Sequence, residues 1–595
     1  MKELSTLNKY FLKYKSHLGW GILFVTISNL FGILPAQLTR NALDVVAANI
    51  STYVLFDGFN LQSDFYKLLM HNIFLFGVMV LAMALLKGVF MFLMRQTIIV
   101  MSRRVEYDMK NEIYAHYQSL GLDFYNKNNT GDLMNRISED VGRVRMYVGP
   151  AIMYTINLLV LFILVIWAMF RVNSTLAIYV LIPLPIMAFM VYYVHDRINK
   201  RSEEVQEKLS DISTFVQETF SGIRVIKAYA REMQFQKNYD KQANDYLKTS
   251  MGLVRVNALF MPSMLLLVGL STILTIYVGS IEVINGRLTV GNIAEFVIYV
   301  NMLTWPVASL GWVVTIIQRS AASQQRINEF LNTHPTIKSG NYKPENIKGH
   351  IKFDDVSVTF PESGTKALSN ISFEIEAGKT LGIIGRTGSG KSTLVNLMLR
   401  VIDADTGKIE VDGHNLKDFD LKTLRSRTGC VPQDVFLFSD TIAGNISFGL
   451  KGEADQNLIE EAAKNAVVYD NIMEFPQKFE TVIGERGVTL SGGQKQRISI
   501  ARAIIKNPDL LIFDDCLSAV DTITEEKILN NLNSIMAERT SILISHRVAT
   551  VKSAGKIIVL DDGKIIESGT HEELLKKGEL YASFYELQKM EEEVS

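Results

Sequence analysis

A glycine-rich segment at residues 385–392 has the composition and spacing of a phosphate-binding loop. Its sequence, GRTGSGKS, fits the pattern G-x-x-x-x-G-K-[ST], with a short apolar run before it and an apolar-periodic helical pattern after it. In such a loop the backbone N–H groups and the helix N-terminus bind phosphates, the lysine reaches the β- and γ-phosphates, and the last hydroxyl binds Mg²⁺. A nucleoside triphosphate is therefore the predicted ligand. The predicted contacts are Gly385, Thr387, Gly388, Ser389, Gly390, Lys391, Ser392 and Thr393.

A carboxylate follows a second apolar run further along the chain. Leu510–Phe513 predicts a buried strand, and Asp514 stands at its end. Phosphate-loop enzymes place a magnesium-binding carboxylate at such a position. The signal is weak by itself, because many core strands end in aspartate, but the phosphate loop upstream strengthens it. The sequence therefore predicts that Ser392 and Asp514 bind Mg²⁺.

The segment LSGGQ at residues 490–494 stands between these motifs, and with it the chain resembles the ATP-binding cassette (ABC) family over its whole length. The arrangement is that of half-size exporters such as bacterial multidrug exporters and lipid flippases. Further positions match cassette motifs: Phe360 as the aromatic that stacks on adenine, Gln433 as the glutamine that senses Mg²⁺ and the attacking water, residues 481–487 ahead of the signature, Ser518–Asp521 as the D-loop, and His546 as the switch histidine.

The signature implies that two chains work together. In the family, Ser491 and the amides of Gly492 and Gly493 close over the ATP of the facing cassette, and one cassette per chain therefore implies a dimer. The resemblance also assigns Gln494 and Asp521 to nucleotide binding. It further implies that the long helical loops couple to the cassettes, with the excursion near residues 210–231 reaching the partner subunit.

The catalytic carboxylate departs from the family pattern. The residue after Asp514 is glutamate in hydrolytically competent family sites, whereas here it is Asp515, which is shorter by one methylene group. A misplacement of about 1 Å can cost a factor of about a hundred in rate. Two alternatives remain open. In the favoured one, the chain is half of a heterodimer and its own site is weakened; in the other, a homodimer uses Asp515, with His546 and Gln433, as a less efficient catalytic carboxylate.

Six apolar stretches precede the cassette, each near the roughly 20 residues that cross a hydrocarbon core of about 30 Å. They are residues 18–38, 69–93, 148–170, 174–194, 258–278 and 292–317. Lysines at the N-terminus predict a cytosolic start, and six spans return the chain to the cytosol. The predicted architecture is an α-helical transmembrane domain with intracellular coupling helices (1–330), a linker (331–350) and an α/β nucleotide-binding domain (351–595).

Composition agrees with this division and excludes other classes. The 595 residues are 48% hydrophobic and carry 61 basic against 62 acidic residues, so the basic surplus typical of a nucleic-acid partner is missing. Two cysteines cannot form a disulfide framework. At the N-terminus, Leu4, Leu7, Phe11, Tyr14 and Leu18 recur at helical spacing, which predicts an interfacial helix on the inner membrane surface.

Three residues in the spans have alternative interpretations. Lys87 is an intramembrane charge and hence a functional candidate, but its stem could also extend to the inner headgroups, and this structural role is favoured. Trp305 and Trp312 could line a cavity for amphipathic cargo or serve ordinary helix packing. No charged cluster in the spans indicates an ionic substrate.

The sequence therefore predicts an ATPase that exports an amphipathic small molecule or lipid across a bacterial-type cytoplasmic membrane by alternating access. The predicted partners are a second half-transporter chain, the lipid bilayer and the cargo. An ATP-gated channel or a regulatory partner without its own transport cycle is the alternative from another class. The six spans argue against a soluble ABC protein that acts on ribosomes or DNA.

Overall fold

The computed structural model describes the chain except for residues 1, 361–363, 451, 453, 485–489 and 595, and the side chains of residues 2 and 591–594. The chain forms two compact units. The first comprises Met1–Ser119 with Asn128–His334, and the second comprises Leu120–Lys127 with Pro335–Ser595.

The first unit is helical. Its described residues contain six helical stretches that are long and apolar enough to cross a membrane, hereafter spans 1 to 6: Lys15–Leu55, Leu61–Ser119, Thr130–Val172, Ser174–Ser221, Glu232–Ile284 and Val290–Leu331. Each contains one of the six predicted stretches and continues well beyond it. The predicted six-span architecture is therefore confirmed.

Several spans consist of consecutive shorter helices. Span 3 is built from Thr130–Asn135, π-helical Arg136–Asp140, Val141–Met146, π-helical Tyr147–Ala151 and Ile152–Val172, and span 4 from Ser174–Leu181 and Pro183–Ser221. The unit also contains the helices Lys2–Leu7, Asn8–Lys13 and Ile223–Ala228. Spans 3 and 4 are joined by Asn173 alone, whose side chain caps the second helix by accepting a hydrogen bond from the Leu176 N–H at 2.9 Å.

The N-terminal segment packs on protein, contrary to the predicted membrane-surface position. Leu4 and Leu7 are buried, and Lys9 and Lys13 form ion pairs of 2.6 Å with Glu112 and Asp108 on the extension of span 2. The apolar face that the periodicity predicts exists, but other helices of the unit cover it.

The second unit is an α/β domain, as predicted. Its strands are β1 (Ile351–Thr359), β2 (Lys366–Ile375), β3 (Thr380–Gly385), β4 (Thr406–Val411), β5 (His414–Asn415), β6 (Thr428–Val431), β7 (Leu510–Asp514), β8 (Thr540–Ser545), β9 (Lys556–Asp561) and β10 (Lys564–Gly569). Its α-helices are Leu122–Lys127, Lys391–Met398, Leu421–Arg427, Ile442–Ser447, Gln456–Asn465, Tyr469–Met473, Gly492–Ile504, Thr522–Met536, Val548–Val551, His571–Lys577 and Leu580–Val594, and its short 3₁₀ helices are Leu416–Asp418 and Lys478–Glu480.

Two sheets organise these strands in the described part of the chain. Strands β2-β1-β4-β5 form an antiparallel sheet, and β10-β9-β3-β8-β7-β6 form a second sheet that is parallel except for β10. Ligands of open parallel sheets bind beyond the carboxyl ends of the strands. The phosphate loop, Gln433, Asp514, Asp515 and His546 follow β3, β6, β7 and β8, so the second sheet gathers these predicted residues along one edge.

Candidate active site

The phosphate loop connects β3 to the helix Lys391–Met398 and needs its glycines. Gly388 and Gly390 have φ of +83° and +98°, in the left-handed region that side chains disfavour. At Gly385, a Cβ atom would lie 2.0 Å from the carbonyl oxygen of Leu560 on β9. A tight loop at the start of a helix results, and it directs backbone N–H groups into one concave surface.

Two buried side chains of this loop are suited to phosphate. The Lys391 ammonium donates hydrogen bonds to the carbonyl oxygens of Gly385 at 2.8 Å and Arg386 at 2.7 Å. Burial lowers the pKa of Lys391, while the charges of Asp515 and Asp514 oppose the shift. The Ser389 hydroxyl is buried and has no hydrogen-bond partner among the described residues. A phosphate oxygen would satisfy this hydroxyl.

Asp514 ends β7 and contacts the loop directly. Burial raises the pKa of its carboxyl, and the hydrogen bond from Ser392 acts in the opposite direction. No group of three or more His, Cys, Asp or Glu residues suited to a metal occurs among the described residues. A metal ion held by Ser392 and Asp514 would have hydroxyl and carboxylate oxygen ligands, the donor set that Mg²⁺ prefers.

Asp515 lies next to the predicted switch histidine. Its φ of +48° is uncommon for a residue with a side chain, and its N–H donates to the Ile544 carbonyl oxygen on β8 at 2.8 Å. Its carboxylate lies 3.9 Å from His546 Nε2, and His546 Nδ1 lies 3.1 Å from the carbonyl oxygen of Gly385. The structure thus brings Asp515, His546 and the phosphate loop together.

Two other predicted residues, Gln433 and Phe360, have exposed side chains. Gln433 follows the end of β6, the neighbour of β7, and is exposed. Phe360 follows β1 and is 42% exposed, so its ring is available for stacking. Thr387 is exposed and Thr393 is buried.

The signature forms the start of the helix Gly492–Ile504. Ser491 accepts a hydrogen bond from the Gln494 N–H at 3.3 Å, and the Gln494 side chain accepts one from the Ser491 N–H at 3.0 Å, which is a capping box. Of the predicted segment 481–487, residues 485–487 lie outside the described residues. Among the described ones, no hydrogen bond or ion pair links the signature to the phosphate loop of this chain.

The D-loop is tied to the signature helix by a residue that sequence reasoning missed. Gln496 accepts a hydrogen bond from the Ala519 N–H at 3.0 Å and donates one to the Ser518 hydroxyl at 3.1 Å. Asp521 caps the helix Thr522–Met536 by accepting from the Thr524 N–H at 2.9 Å, and this bond lowers the pKa of its carboxyl. A second missed residue is Gln588, whose side chain donates to the His546 carbonyl oxygen at 2.7 Å.

The tryptophans of span 6 differ in environment. Trp305 is 74% exposed, whereas Trp312 packs edge-on against Tyr154 with ring centroids 5.3 Å apart. Trp312 therefore takes part in helix packing, and Trp305 presents its ring on the surface of the unit.

Comparisons with known proteins match both units. The family model for the ABC transporter transmembrane region matches residues 18–307, and the ABC transporter model matches residues 368–518. The chain is 36% identical to the multidrug resistance-like ATP-binding protein MdlA of Escherichia coli, over 82% of this chain and 83% of that protein. It is 30% identical to the ATP-dependent lipid A-core flippase of Photobacterium profundum, over 98% of this chain and 99% of the flippase.

A solved structure is similar over nearly the full length. It is that of a bacterial Atm1-family ABC exporter with ATP bound, with a TM-score of 0.76 and 25% sequence identity, and the match covers 96% of this chain and 98% of that one.

Proposed function

The chain belongs to the ABC transporter family, and we propose that it exports a lipid or an amphipathic small molecule by alternating access. It is a multi-pass protein of the bacterial inner membrane, and its cytosolic domain is an ATPase coupled to transport. The observation that carries the proposal is the meeting of the phosphate loop, Asp515 and His546 at one sheet edge in a chain with six spans. The relatives named as multidrug and lipid A-core transporters support amphipathic cargo.

The residues of the site have distinct roles in this proposal. The loop amides, Ser389 and Lys391 bind the phosphates of ATP, and Phe360 stacks on its adenine. Ser392, Asp514 and Gln433 would hold Mg²⁺, which would neutralise part of the phosphate charge. Asp515 orients the attacking water, and His546, whose Nδ1 lies 3.1 Å from the carbonyl oxygen of Gly385 at the end of β3, contacts the γ-phosphate.

A second chain completes the site. The N-terminus of the signature helix provides Ser491 and the amides of Gly492 and Gly493, and no bond connects them to this chain's own phosphate loop within the described residues. We therefore assign them, with Gln494 and Asp521, to the ATP held by a partner cassette.

The tip of the hairpin between spans 4 and 5 supports this pairing. It exposes large apolar side chains: Phe220 (70%), Val225 (61%), Tyr229 (75%) and Met233 (70%). Such a cluster on a helical extension outside the bilayer indicates a surface for a protein partner. A dimer in which this tip docks on the partner cassette buries it and couples the membrane helices to ATP binding.

Asp515 favours a heterodimer. Its carboxylate keeps the charge of the family's glutamate and lies near His546, but it is one methylene shorter and reaches less far toward the water. In a heterodimer this chain's own site would retain ATP, while its intact signature would complete the competent site of the partner. The alternative is a homodimer that turns over slowly with Asp515 at both sites.

Alternating access is driven by the difference between ATP and ADP in their affinity for the closed pair of cassettes. ATP must bind the closed pair of cassettes more tightly than ADP does, since a ligand shifts a conformational equilibrium only by its difference in affinity for the two states. Closure turns the membrane cavity outward, and hydrolysis with product release resets it.

Two experiments test the proposal. The first is purification of the tagged chain from cells that also express an untagged copy and the native partners, followed by mass spectrometry. Recovery of a different half-transporter in equal amount supports the heterodimer, whereas recovery of the untagged copy supports the homodimer.

The second experiment uses the recovered complex in proteoliposomes. ATP-dependent, saturable movement of fluorescent lipids or dyes against a gradient supports an exporter. Passive flux that persists once ATP is bound supports the ATP-gated channel instead.

A further inference from the structure

The C-terminal helix, Leu580–Val594, binds the backbone of the loop that carries His546, hereafter the switch loop (residues 545–548). The side-chain amide of Gln588 donates a hydrogen bond to the carbonyl oxygen of His546 at 2.7 Å. The same amide accepts a hydrogen bond from the N–H of Val548, also at 2.7 Å. One side chain from the end of the domain therefore holds the switch loop at two backbone groups.

A glutamine suits these two backbone groups because its amide carries both a donor and an acceptor. Val548 is the first residue of a four-residue helix, and its N–H is one of those that no residue of its own helix can bond. The side chain of Arg547, which precedes this helix, forms no cap. Gln588 therefore takes the place of a local helix cap.

The helix that carries Gln588 is fixed on the domain by its inner face. Tyr581 is fully buried, its N–H donates to Glu567 on β10 at 3.0 Å, and its hydroxyl lies 2.8 Å from His571 Nδ1. Tyr585 packs on the His571 ring with centroids 5.7 Å apart. Tyr581, Tyr585 and Gln588 are spaced so that they share one face of the helix. This anchored face presents Gln588 to the switch loop.

A second element also binds the switch loop. The guanidinium of Arg547 forms an ion pair with Glu525, a buried residue of the helix Thr522–Met536 that follows the D-loop. The N–H of Arg547 donates to the Ser545 hydroxyl at 3.0 Å. The backbone on both sides of His546 is thus held by hydrogen bonds.

The position of the His546 imidazole depends on this backbone. Its Nδ1 lies 3.1 Å from the carbonyl oxygen of Gly385, where the phosphate loop begins, and its Nε2 lies 3.9 Å from the Asp515 carboxylate. Hydrogen bonds of N–H donors span about 2.7–3.2 Å, so a displacement of about 1 Å breaks a contact with a phosphate oxygen. The two bonds of Gln588 restrict such a displacement.

We propose that Gln588 is a positioning residue for the switch histidine, and that it fixes the switch loop so that His546 meets the γ-phosphate of ATP. The inference rests on the role proposed for His546 and adds the C-terminal helix to the nucleotide site. Because ADP lacks the γ-phosphate, Gln588 should raise the affinity for ATP and leave the affinity for ADP unchanged.

Competition for this chain's own nucleotide site tests the inference. The purified complex in nanodiscs with Mg²⁺ is photolabelled with an azido derivative of ADP, and intact-mass spectrometry measures the label on this chain. Adenylyl imidodiphosphate, an ATP analogue that is not hydrolysed, or ADP displaces the label. The variants are Gln588→Met, His546→Ala and their combination. Glu586→Met, which changes an exposed side chain of the same helix, is the matched control.

The inference expects Gln588→Met to weaken binding of the ATP analogue about tenfold, equivalent to about 1.4 kcal/mol, without a change for ADP. His546→Ala should show the same selective loss. Adding Gln588→Met to His546→Ala should cause no further loss, because the two residues act through one contact. Glu586→Met should bind both nucleotides as the wild type does.

Three outcomes overturn the inference. An equal loss of affinity for both nucleotides in Gln588→Met would show that this residue only stabilises the domain. Unchanged affinity for the ATP analogue would show that the switch loop does not need the two bonds. A selective loss of the same size in the His546→Ala background would show that Gln588 acts through another group.

The same variants separate this inference from the proposed function. If His546→Ala loses the ATP analogue selectively and Gln588→Met does not, the role of His546 stands and that of Gln588 is wrong. If His546→Ala binds the analogue like the wild type, the proposed γ-phosphate contact is wrong and the inference falls with it. If both variants show the selective loss but the wild-type complex moves no lipid or dye in proteoliposomes, the positioning role stands and the exporter proposal is wrong.

Discussion

Gln496, in the second turn of the signature helix, holds the backbone of Ala519 in the D-loop. Its amide oxygen accepts the Ala519 N–H at 3.0 Å, and its amide nitrogen donates to the neighbouring Ser518 hydroxyl at 3.1 Å. Close packing supports this link, since a Cβ atom on Gly493 would lie 2.8 Å from the Ala519 carbonyl oxygen. These contacts link the signature helix to the D-loop.

Replacing Gln496 with leucine should uncouple these two segments. The change removes the partner of the Ala519 N–H, and because Ala519 is itself exposed the loss should be about 1 kcal/mol. We expect a lower thermal midpoint and a fall in ATP turnover of about tenfold, equivalent to ~1.4 kcal/mol in the barrier. Phosphate release from the purified complex measures the turnover.

The matched control for this variant is Gln456→Leu. Gln456 is exposed and donates a hydrogen bond to Glu460, and both residues lie on the helix Gln456–Asn465 of the same domain. The control should leave both quantities unchanged. Wild-type turnover in Gln496→Leu would show that the signature and the D-loop do not need this link.

The length of the carboxylate at position 515 should control hydrolysis. With glutamate there, the carboxylate regains the family's reach toward the attacking water, and ATP turnover of the chain purified alone should rise by about tenfold to a hundredfold. Asp515→Asn, which removes the charge at the same length, is the control and should stay at or below the wild-type rate. High turnover in the wild-type homodimer would contradict the weakened site.

The two cysteines should be inert toward maleimide in the folded protein. The thiolate is the reactive form, and burial raises the pKa of Cys430 to about 12 and that of Cys516 even further. Raised thiol pKa values mean that the thiolate fraction stays small from pH 7 to pH 9 and grows only at more alkaline pH. Intact-mass spectrometry should show no adduct at pH 8 and two adducts after denaturation. Rapid native labelling of Cys516, the neighbour of Asp515, would show that the active-site strand opens.

Much of the nucleotide site was predictable because its motifs encode local geometry. The spacing of the phosphate loop requires left-handed backbone at Gly388 and Gly390, and a strand must precede it. Residues after neighbouring parallel strands meet at one edge, and this places Asp514 and His546 beside the loop. The order of the strands and motifs along the chain was therefore enough to predict which residues meet at the nucleotide site.

Other features depend on contacts that no local pattern encodes. Gln496 follows the signature like any helical residue, and only the proximity of Ser518 and Ala519 reveals its role. The periodicity of the N-terminal segment predicted an apolar face but not the helices that cover Leu4 and Leu7. Hydropathy located Lys87 within a span. Only the structure shows that its ammonium lies beside span 1, where a Cβ atom on Gly32 would be 3.3 Å from Nζ.

The pair between Arg40 on span 1 and Glu295 on span 6 should stabilise the outer end of the membrane unit. Glu295 is fully buried, with Arg40 at 3.2 Å and the Tyr299 hydroxyl donating to it at 2.8 Å. Arg40→Met leaves a buried carboxylate without its cation, and the cost should be about 2–3 kcal/mol because Arg40 is itself 30% exposed.

A double-mutant cycle with Glu295→Gln, followed by thermal unfolding in nanodiscs, measures the coupling. The double variant should recover most of the loss, and Lys67→Met, which breaks an exposed pair with Asp64, should change the midpoint little. Strict additivity of the two single changes would show that the pair contributes no coupling between these spans.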